Sequence, residues 1–190
     1  MIIGITGGTG CGKTTALRAV EALGGRVLDC DAIYHCLLQE DKALVAAIES
    51  RFPGVTEKGV LNRKKLGAIV FEDEKALQDL NRITHASVKA EVLRLLEDQP
   101  QLAAIDAIGL FEGNLAELCD VTVAVCAPEE IRVQRLMARD SISEEYARSR
   151  IRAQKSEEYF RSQCSYVLVN NGSLSDFQEK CRSFLAQILD

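Results

Sequence analysis

Five short apolar runs punctuate the chain, at Ile2–Thr6, Val27–Cys30, Leu102–Ile108, Val121–Cys126 and Val167–Val169, each bounded by turn-forming or polar residues. Unbroken apolar runs of this length suit strands buried on both faces of a parallel sheet, whereas a half-exposed strand alternates apolar and polar positions. Between the runs, apolar residues recur at helical spacing over Lys13–Leu23, Pro128–Met137, Ser143–Phe160 and Ser175–Leu189. Pro128 suits the first turn of its helix, and Ser143 followed by Glu144 and Glu145 suits a helix start with carboxylates near the positive end of the dipole. The alternation predicts an α/β fold built on a five-stranded parallel sheet.

The stretch from Ala32 to Gln101 breaks this rhythm, because it contains no convincing strand and repeats helical patterns over Leu37–Phe52, Arg63–Phe71 and Glu74–Glu97. That is far more than an ordinary crossover between neighbouring strands needs, so an inserted helical subdomain is expected. With 190 residues, 47% hydrophobic and 27% charged, the chain has the makings of one globular unit, and its 5% aromatic content leaves a core of Ala, Val, Ile and Leu.

Charge and cysteine usage narrow the function classes. The net charge of −5 repels polyanions, so no nucleic-acid partner is expected. Positive charge does collect between Arg132 and Arg161, in eight basic residues against five acidic ones. This stretch reads either as a solvated helix face or as a phosphate-binding flap. Seven cysteines with no C-x-x-C pair argue against a disulfide framework, and Cys30, His35 and Cys36 lack a fourth ligand at zinc spacing. The short apolar start, Met1 to Thr6, runs straight into glycines without a basic leader, so a cytoplasmic, soluble protein without a membrane partner is expected.

The strongest chemical signal is Gly7-Gly8-Thr9-Gly10-Cys11-Gly12-Lys13-Thr14, which fits G-x-x-x-x-G-K-[ST] between an expected strand and an expected helix. Glycines let backbone N–H groups turn around phosphates, the helix N-terminus adds positive potential, Lys13 can reach the β and γ phosphates, and Thr14 can ligate Mg²⁺. A dinucleotide-binding loop fits less well, since G-x-G-x-x-G is not satisfied. A guanine-reading N-K-x-D segment is absent, and Asp106 in the third run is followed by Ala107 rather than by a second carboxylate. A small-molecule kinase needs neither. The second candidate is Asp29-Cys30-Asp31, at the carboxyl end of the second run, the edge of an open sheet where ligands bind. A carboxylate there can accept the proton of an attacking hydroxyl or anchor water around Mg²⁺. A helix starting at Asp31 would instead use it as an N-cap.

These residues, in order, resemble the dephospho-coenzyme A kinase family. The resemblance runs from Ile5-Thr6-Gly7-Gly8 to Thr14, through Leu28-Asp29-Cys30-Asp31 with His35, Leu61-Asn62-Arg63 with Leu66 and Phe71, and Leu80-Asn81 to His85. It continues through Leu110-Phe111-Glu112, Arg135 with Arg139-Asp140, Arg150-Ile151-Arg152-Ala153-Gln154 and Asn170-Asn171-Gly172, covering nearly the whole chain.

The resemblance implies ATP-dependent phosphorylation of the ribose 3′-hydroxyl of dephospho-CoA, with Mg²⁺. It implies a nucleotide-binding core over 1–31, 102–138 and 163–190, a helical acceptor insertion over 32–101 and a lid over 139–162. Asp31 would be the base, with Lys13 and Arg139 at the transferring group. Gly8, Thr9, Gly10, Cys11, Gly12, Lys13, Thr14 and Thr15 would hold ATP, with Thr14 on the metal. Asn170, Asn171 and Gly172 would border adenine, and His35, Arg63, His85 and Glu112 would lie on the acceptor side. The chain departs from the family pattern at Ile108-Gly109 where Pro-Leu is common, at Ala86 where Pro follows His, and at Val169 where Asp precedes Asn-Asn-Gly. Another kinase acceptor, such as a nucleoside or nucleotide, and an ATP-binding module without turnover are the competing readings.

Overall fold

The computed structural model describes residues 1–189. Among the described residues seven strands and nine α-helices follow one another, first β1 (Ile2–Thr6), α1 (Lys13–Ala22), β2 (Arg26–Asp29), α2 (Cys30–Glu40), α3 (Lys42–Arg51), β3 (Thr56–Glu57), β4 (Val60–Leu61), α4 (Arg63–Val70) and α5 (Glu74–Leu95). The chain continues through β5 (Ala103–Asp106), a 3-10 turn at Ala116–Leu118, β6 (Val121–Cys126), α6 (Glu129–Asp140), α7 (Glu144–Arg152), α8 (Glu157–Gln163), β7 (Tyr166–Val169) and α9 (Leu174–Leu189). Five strands form one sheet in the order β2-β5-β1-β6-β7, with β1 parallel to both β5 and β6, and β6 parallel to β7. Because β1 is central, the loop that leaves its carboxyl end emerges where the chain departs to opposite sides of the sheet, the place where open α/β sheets bind ligands.

Two compact units result: residues 1–28, 100–111 and 115–189 form the first, and residues 29–99 with 112–114 form the second. In the first, Ile3, Ile5, Val123 and Val125 present one sheet face to Leu17 and Val20 of α1 and to Phe177, Phe184 and Leu185 of α9. Phe160 of α8 packs with Ala124 and Cys126 instead. Val133 and Leu136 of α6 interlock with Ala147 and Ile151 of α7. The second unit has its own core, in which Leu38, Leu44, Ile48, Phe52, Leu66, Val70 and Leu80 come together from α2, α3, α4 and α5 and their connections.

The boundaries of these helices follow from local chemistry. Asp29, Asp41, Asn62, Asp73, Ser143 and Ser156 each accept a hydrogen bond from a backbone N–H in the first turn of the helix that follows. Such caps satisfy donors that a helix leaves unpaired at its start.

Several sequence expectations change. The insertion does contain strands: β3 and β4 pair antiparallel around Lys58-Gly59, both left-handed at φ 53° and 80°, which is the backbone a two-residue hairpin turn demands. The expected helix over Ser143–Phe160 is two helices, because the chain stops at Ala153 and restarts under the Ser156 cap. The third expected strand ends at Asp106, and 108–114 run as turns. Asp31 is not an N-cap: Asp29 holds that position with its carboxylate on the Ala32 N–H at 3.0 Å, and Asp31 lies in the first turn of α2.

Ile48 has no solvent exposure. Ile48→Ala is expected to destabilise the protein by about 2–4 kcal/mol, read from the shift of a urea unfolding curve. All seven cysteines are free thiols among the described residues, and only Cys36 is exposed. Burial pushes Cys119 and Cys126 up to about 12 and Cys164 and Cys181 up to about 11. At pH 8 a thiol-reactive dye should therefore modify Cys36 in the folded protein and reach the other six only on unfolding.

Candidate active site

The loop between β1 and α1 is held by side chains rather than by its own turns alone. Three successive carbonyls point outward to donors: Arg132 Nε reaches Thr9 O at 2.9 Å, Arg135 Nη1 reaches Gly10 O at 3.3 Å, and Asn170 Nδ2 reaches Cys11 O at 2.9 Å. Arg135 also approaches Cys11 O at 3.4 Å, and its Nη2 donates to Asn170 Oδ1 at 3.0 Å, so the two braces lock each other. In a trans peptide the N–H points opposite to the C=O. Turning the Thr9 and Cys11 carbonyls toward the braces therefore aims the N–H groups of Gly10 and Gly12 the other way.

Gly10 and Gly12 adopt left-handed φ values of 79° and 101°, and a side chain at position 12 would run into the Asn170 amide. Gly12 is also the residue on which α1 starts, and it has no side chain with which to cap the first N–H groups. An anion can take the place of that cap. Lys13 opens α1 and folds back so that its Nζ donates to Gly7 O at 3.0 Å. Thr14, exposed in the first turn, adds a hydroxyl beside the loop. On its other flank, the N–H of Thr9 donates to Gln154 Oε1 at 2.7 Å.

The arginine-rich stretch divides by partner. Arg132 is 7% exposed and lies with Arg135 against the loop. Arg139 makes two bonds to Asp140, at 2.7 and 2.9 Å, and Arg150 makes a third to the same carboxylate at 2.6 Å. The Arg139 and Arg150 guanidiniums hold the Asp140 carboxyl well below the usual carboxylate range. Arg148 ties Glu129 and Glu130 of α6 to Glu144 of α7.

The second unit gathers the remaining expected residues in two places. On α2, Asp31 and His35 are four residues apart and so share a face, and His35 Nδ1 meets Arg63 Nη2 of α4 at 3.1 Å. On α5, Gln78, Asn81, Arg82, His85 and Lys89 line a pocket of about 490 Å³ opposite the 112–114 turn. His85 Nδ1 is 3.2 Å from Glu112 O in that pocket.

One expected residue gains a second part. Asn170 is 4% exposed and both ends of its amide are engaged, with Cys11 O and with Arg135, so its side chain braces the loop between β1 and α1. Asn171 and Gly172 remain exposed beside it. Sequence reasoning missed the bracing by Arg132, Arg135 and Gln154, although all three lay in the basic stretch or the motif series. It also missed Gln78 and Arg82, whose spacing from His85 on a helix was the available signal.

A glycine-bearing loop at the carboxyl end of a central parallel strand, opening a helix through G-x-x-x-x-G-K-T, defines a P-loop nucleotide-binding protein. Comparison with known proteins agrees: the family model described as CoaE, dephospho-CoA kinase, matches residues 1–176. A dephospho-CoA kinase from Syntrophotalea carbinolica is 34% identical over 196 aligned positions, covering 100% of this chain and 92% of that protein. A Thermus thermophilus crystal structure superposes with a TM-score of 0.81 at 34% identity, covering 98% of this chain and 97% of that one. The dephospho-CoA kinase of Campylobacter jejuni superposes at a TM-score of 0.69 and 27% identity, covering 98% and 96%. The chain belongs to the dephospho-CoA kinase family. Among the described residues no helix is long and apolar enough to cross a membrane.

Asn170→Ala removes the acceptor of Arg135 Nη2 and leaves Cys11 O only its longer contact with Arg135 Nη1, in a largely buried setting. It is expected to cost about 1–3 kcal/mol of stability, measured by chemical denaturation.

Proposed function

We propose that this chain transfers the γ-phosphoryl group of ATP to the ribose 3′-hydroxyl of dephospho-CoA, giving CoA and ADP. The observation that carries the reading is the braced loop of the first unit, whose inward N–H groups, Lys13 and uncapped α1 together suit a polyphosphate. In this reading the loop from Gly8 to Thr15 holds the β and γ phosphates. Lys13 exchanges Gly7 O for a phosphate oxygen, and Asn171 and Gly172 flank the adenine.

The exposed Thr14 hydroxyl beside the loop would hold Mg²⁺, a cation that keeps most of its waters and binds through nucleotide phosphates with one or two protein oxygens. When bound, it neutralises charge that develops on the phosphate oxygens.

The second unit supplies the acceptor groups. Asp31, exposed on α2, accepts the proton of the attacking hydroxyl, and His35 and Arg63 beside it contact the acceptor. In the pocket along α5, Lys89 and Arg82, the latter also paired with Asp79, supply positive charge for the acceptor's phosphates beside Glu112, whose carbonyl orients His85. Residues 139–162 act as a lid over the nucleotide. There Arg139 leaves Asp140 for the transferring group, and water that would otherwise hydrolyse ATP is excluded. The expected site of action is the cytoplasm.

With Mg²⁺-ATP and dephospho-CoA, wild type should form CoA, identified by mass spectrometry, and Lys13→Ala should not. Asp31→Asn should lower kcat by roughly 10² to 10⁴. A loss of only a few-fold would remove Asp31 from the role of base.

A further inference from the structure

Arg132 is buried to 7% exposure, its Nε is committed to Thr9 O at 2.9 Å, and its Nη2 is enclosed without a hydrogen-bond partner among the described residues. Enclosing an unpartnered N–H of a charged group costs stability, and the bond from Nε to Thr9 O is what the buried side chain provides against that cost. Gly8 lies so close to the guanidinium that a side chain there would run into it, and Gly10 packs against the Arg132 backbone. Both polar groups of Thr9 are held, the N–H by Gln154 Oε1 and the C=O by Arg132 Nε.

We propose that Arg132 and Gln154 are positioning residues that clamp Thr9 and thereby set the direction of the Gly10 N–H toward the phosphates of the nucleotide, which neither residue touches. The proposal rests on the reading of the loop as the ATP site. Gly10, with its left-handed φ of 79°, places little steric resistance on rotation of the peptide that joins it to Thr9. If Arg132 releases Thr9 O, that peptide can flip and carry the Gly10 N–H away from its ligand. The clamp needs a donor at one position and no charge. Glutamine carries its Nε2 on Cδ, as arginine carries its Nε, so glutamine at 132 reproduces the donor and removes the enclosed Nη2. Lysine at 132 preserves the charge and changes the donor geometry.

The test is titration of the full-length protein with a non-hydrolysable Mg²⁺-ATP analogue by calorimetry, with thermal unfolding of each variant alongside. Arg132→Met should weaken binding about tenfold, the scale of one lost hydrogen bond. Arg132→Gln should restore it to within about threefold of wild type and unfold at no lower temperature, since the unpartnered N–H is gone. Gln154→Met should match Arg132→Met, and the double variant should be little worse, as two halves of one clamp are not additive. In turnover the loss should appear in KM for ATP, with kcat at saturation within about threefold.

Unchanged binding in Arg132→Met overturns the proposal. So does a Gln variant as weak as Met while Arg132→Lys binds like wild type, which would make the charge itself the contact. If Arg132→Met does not fold, the comparison of Gln with Lys decides alone. Lys13→Ala in the same titration separates the two levels of argument. If it binds like wild type, the loop is not the ATP site. If it loses binding and Arg132→Met does not, only the clamp is refuted.

Discussion

A phosphate cradle made from backbone N–H groups works only if the carbonyls of the same peptides have somewhere else to go. Each peptide carries one donor and one acceptor in opposite directions, so aiming the donors inward forces the acceptors outward, and in a buried loop those acceptors need partners. Here Arg132, Arg135 and Asn170 supply them, from α6 and from the end of β7. Much of the first unit can be read from that requirement. β6 and β7 must lie beside β1 in register for α6 and Asn170 to reach the loop, and the pairing of β6 with both β1 and β7 brings them there.

The same requirement explains why the two kinds of helix start differ. Among the described residues seven helices begin on an Asp, Asn or Ser whose side chain closes the first turn, Ser173 before α9 included. Such a cap is a surrogate anion, and at α1 it would occupy the place a phosphate needs. Gly12 leaves the position open, and its left-handed φ is the only way the chain can turn from Cys11 into α1 with Asn170 packed against it. The close approach that fixes Gly12 is thus also what holds Cys11 O. One side chain enforces the backbone geometry and satisfies the acceptor that geometry exposes.

The sheet was legible because its strands are buried on both faces, so the apolar runs stood out without any need for alternation. Their ends were less so: hydrophobicity continues through Ala107 and Ile108, yet the chain leaves the sheet after Asp106, since an apolar residue serves equally well in a packed turn. The β3–β4 hairpin escaped because four residues of strand make no periodic pattern. Its only trace was Lys58-Gly59, a weaker turn signal than Asn-Gly. Asp29 and Asp31 could not be separated from spacing, because whether the helix began at Cys30 or at Asp31 decided which carboxylate became the cap. The P-loop motif showed the ligand class, since it encodes backbone geometry in glycines. The braces did not show, because Arg132, Arg135, Gln154 and Asn170 lie more than a hundred residues away and meet the loop only through the order of strands in the sheet.

The arginines between 132 and 161 illustrate how little charge alone says about role. Arg148 at Glu129, Glu130 and Glu144, and Arg161 at Glu157, join surface carboxylates whose pairing is screened and worth little on balance. Arg139 shares the half-buried Asp140 with Arg150, and because the two guanidiniums hold that carboxyl well below the usual carboxylate range, this pairing is tighter than the exposed ones. Arg132 differs from them in burial rather than in chemistry. At 7% exposure its hydration is already lost, so leaving Thr9 O would strand a second buried N–H beside the enclosed Nη2. An arginine that holds a backbone carbonyl gains most where it has no alternative partner, and that is the setting of Arg132 at Thr9 O, whereas Arg139 on the same helix is exposed and keeps a carboxylate partner.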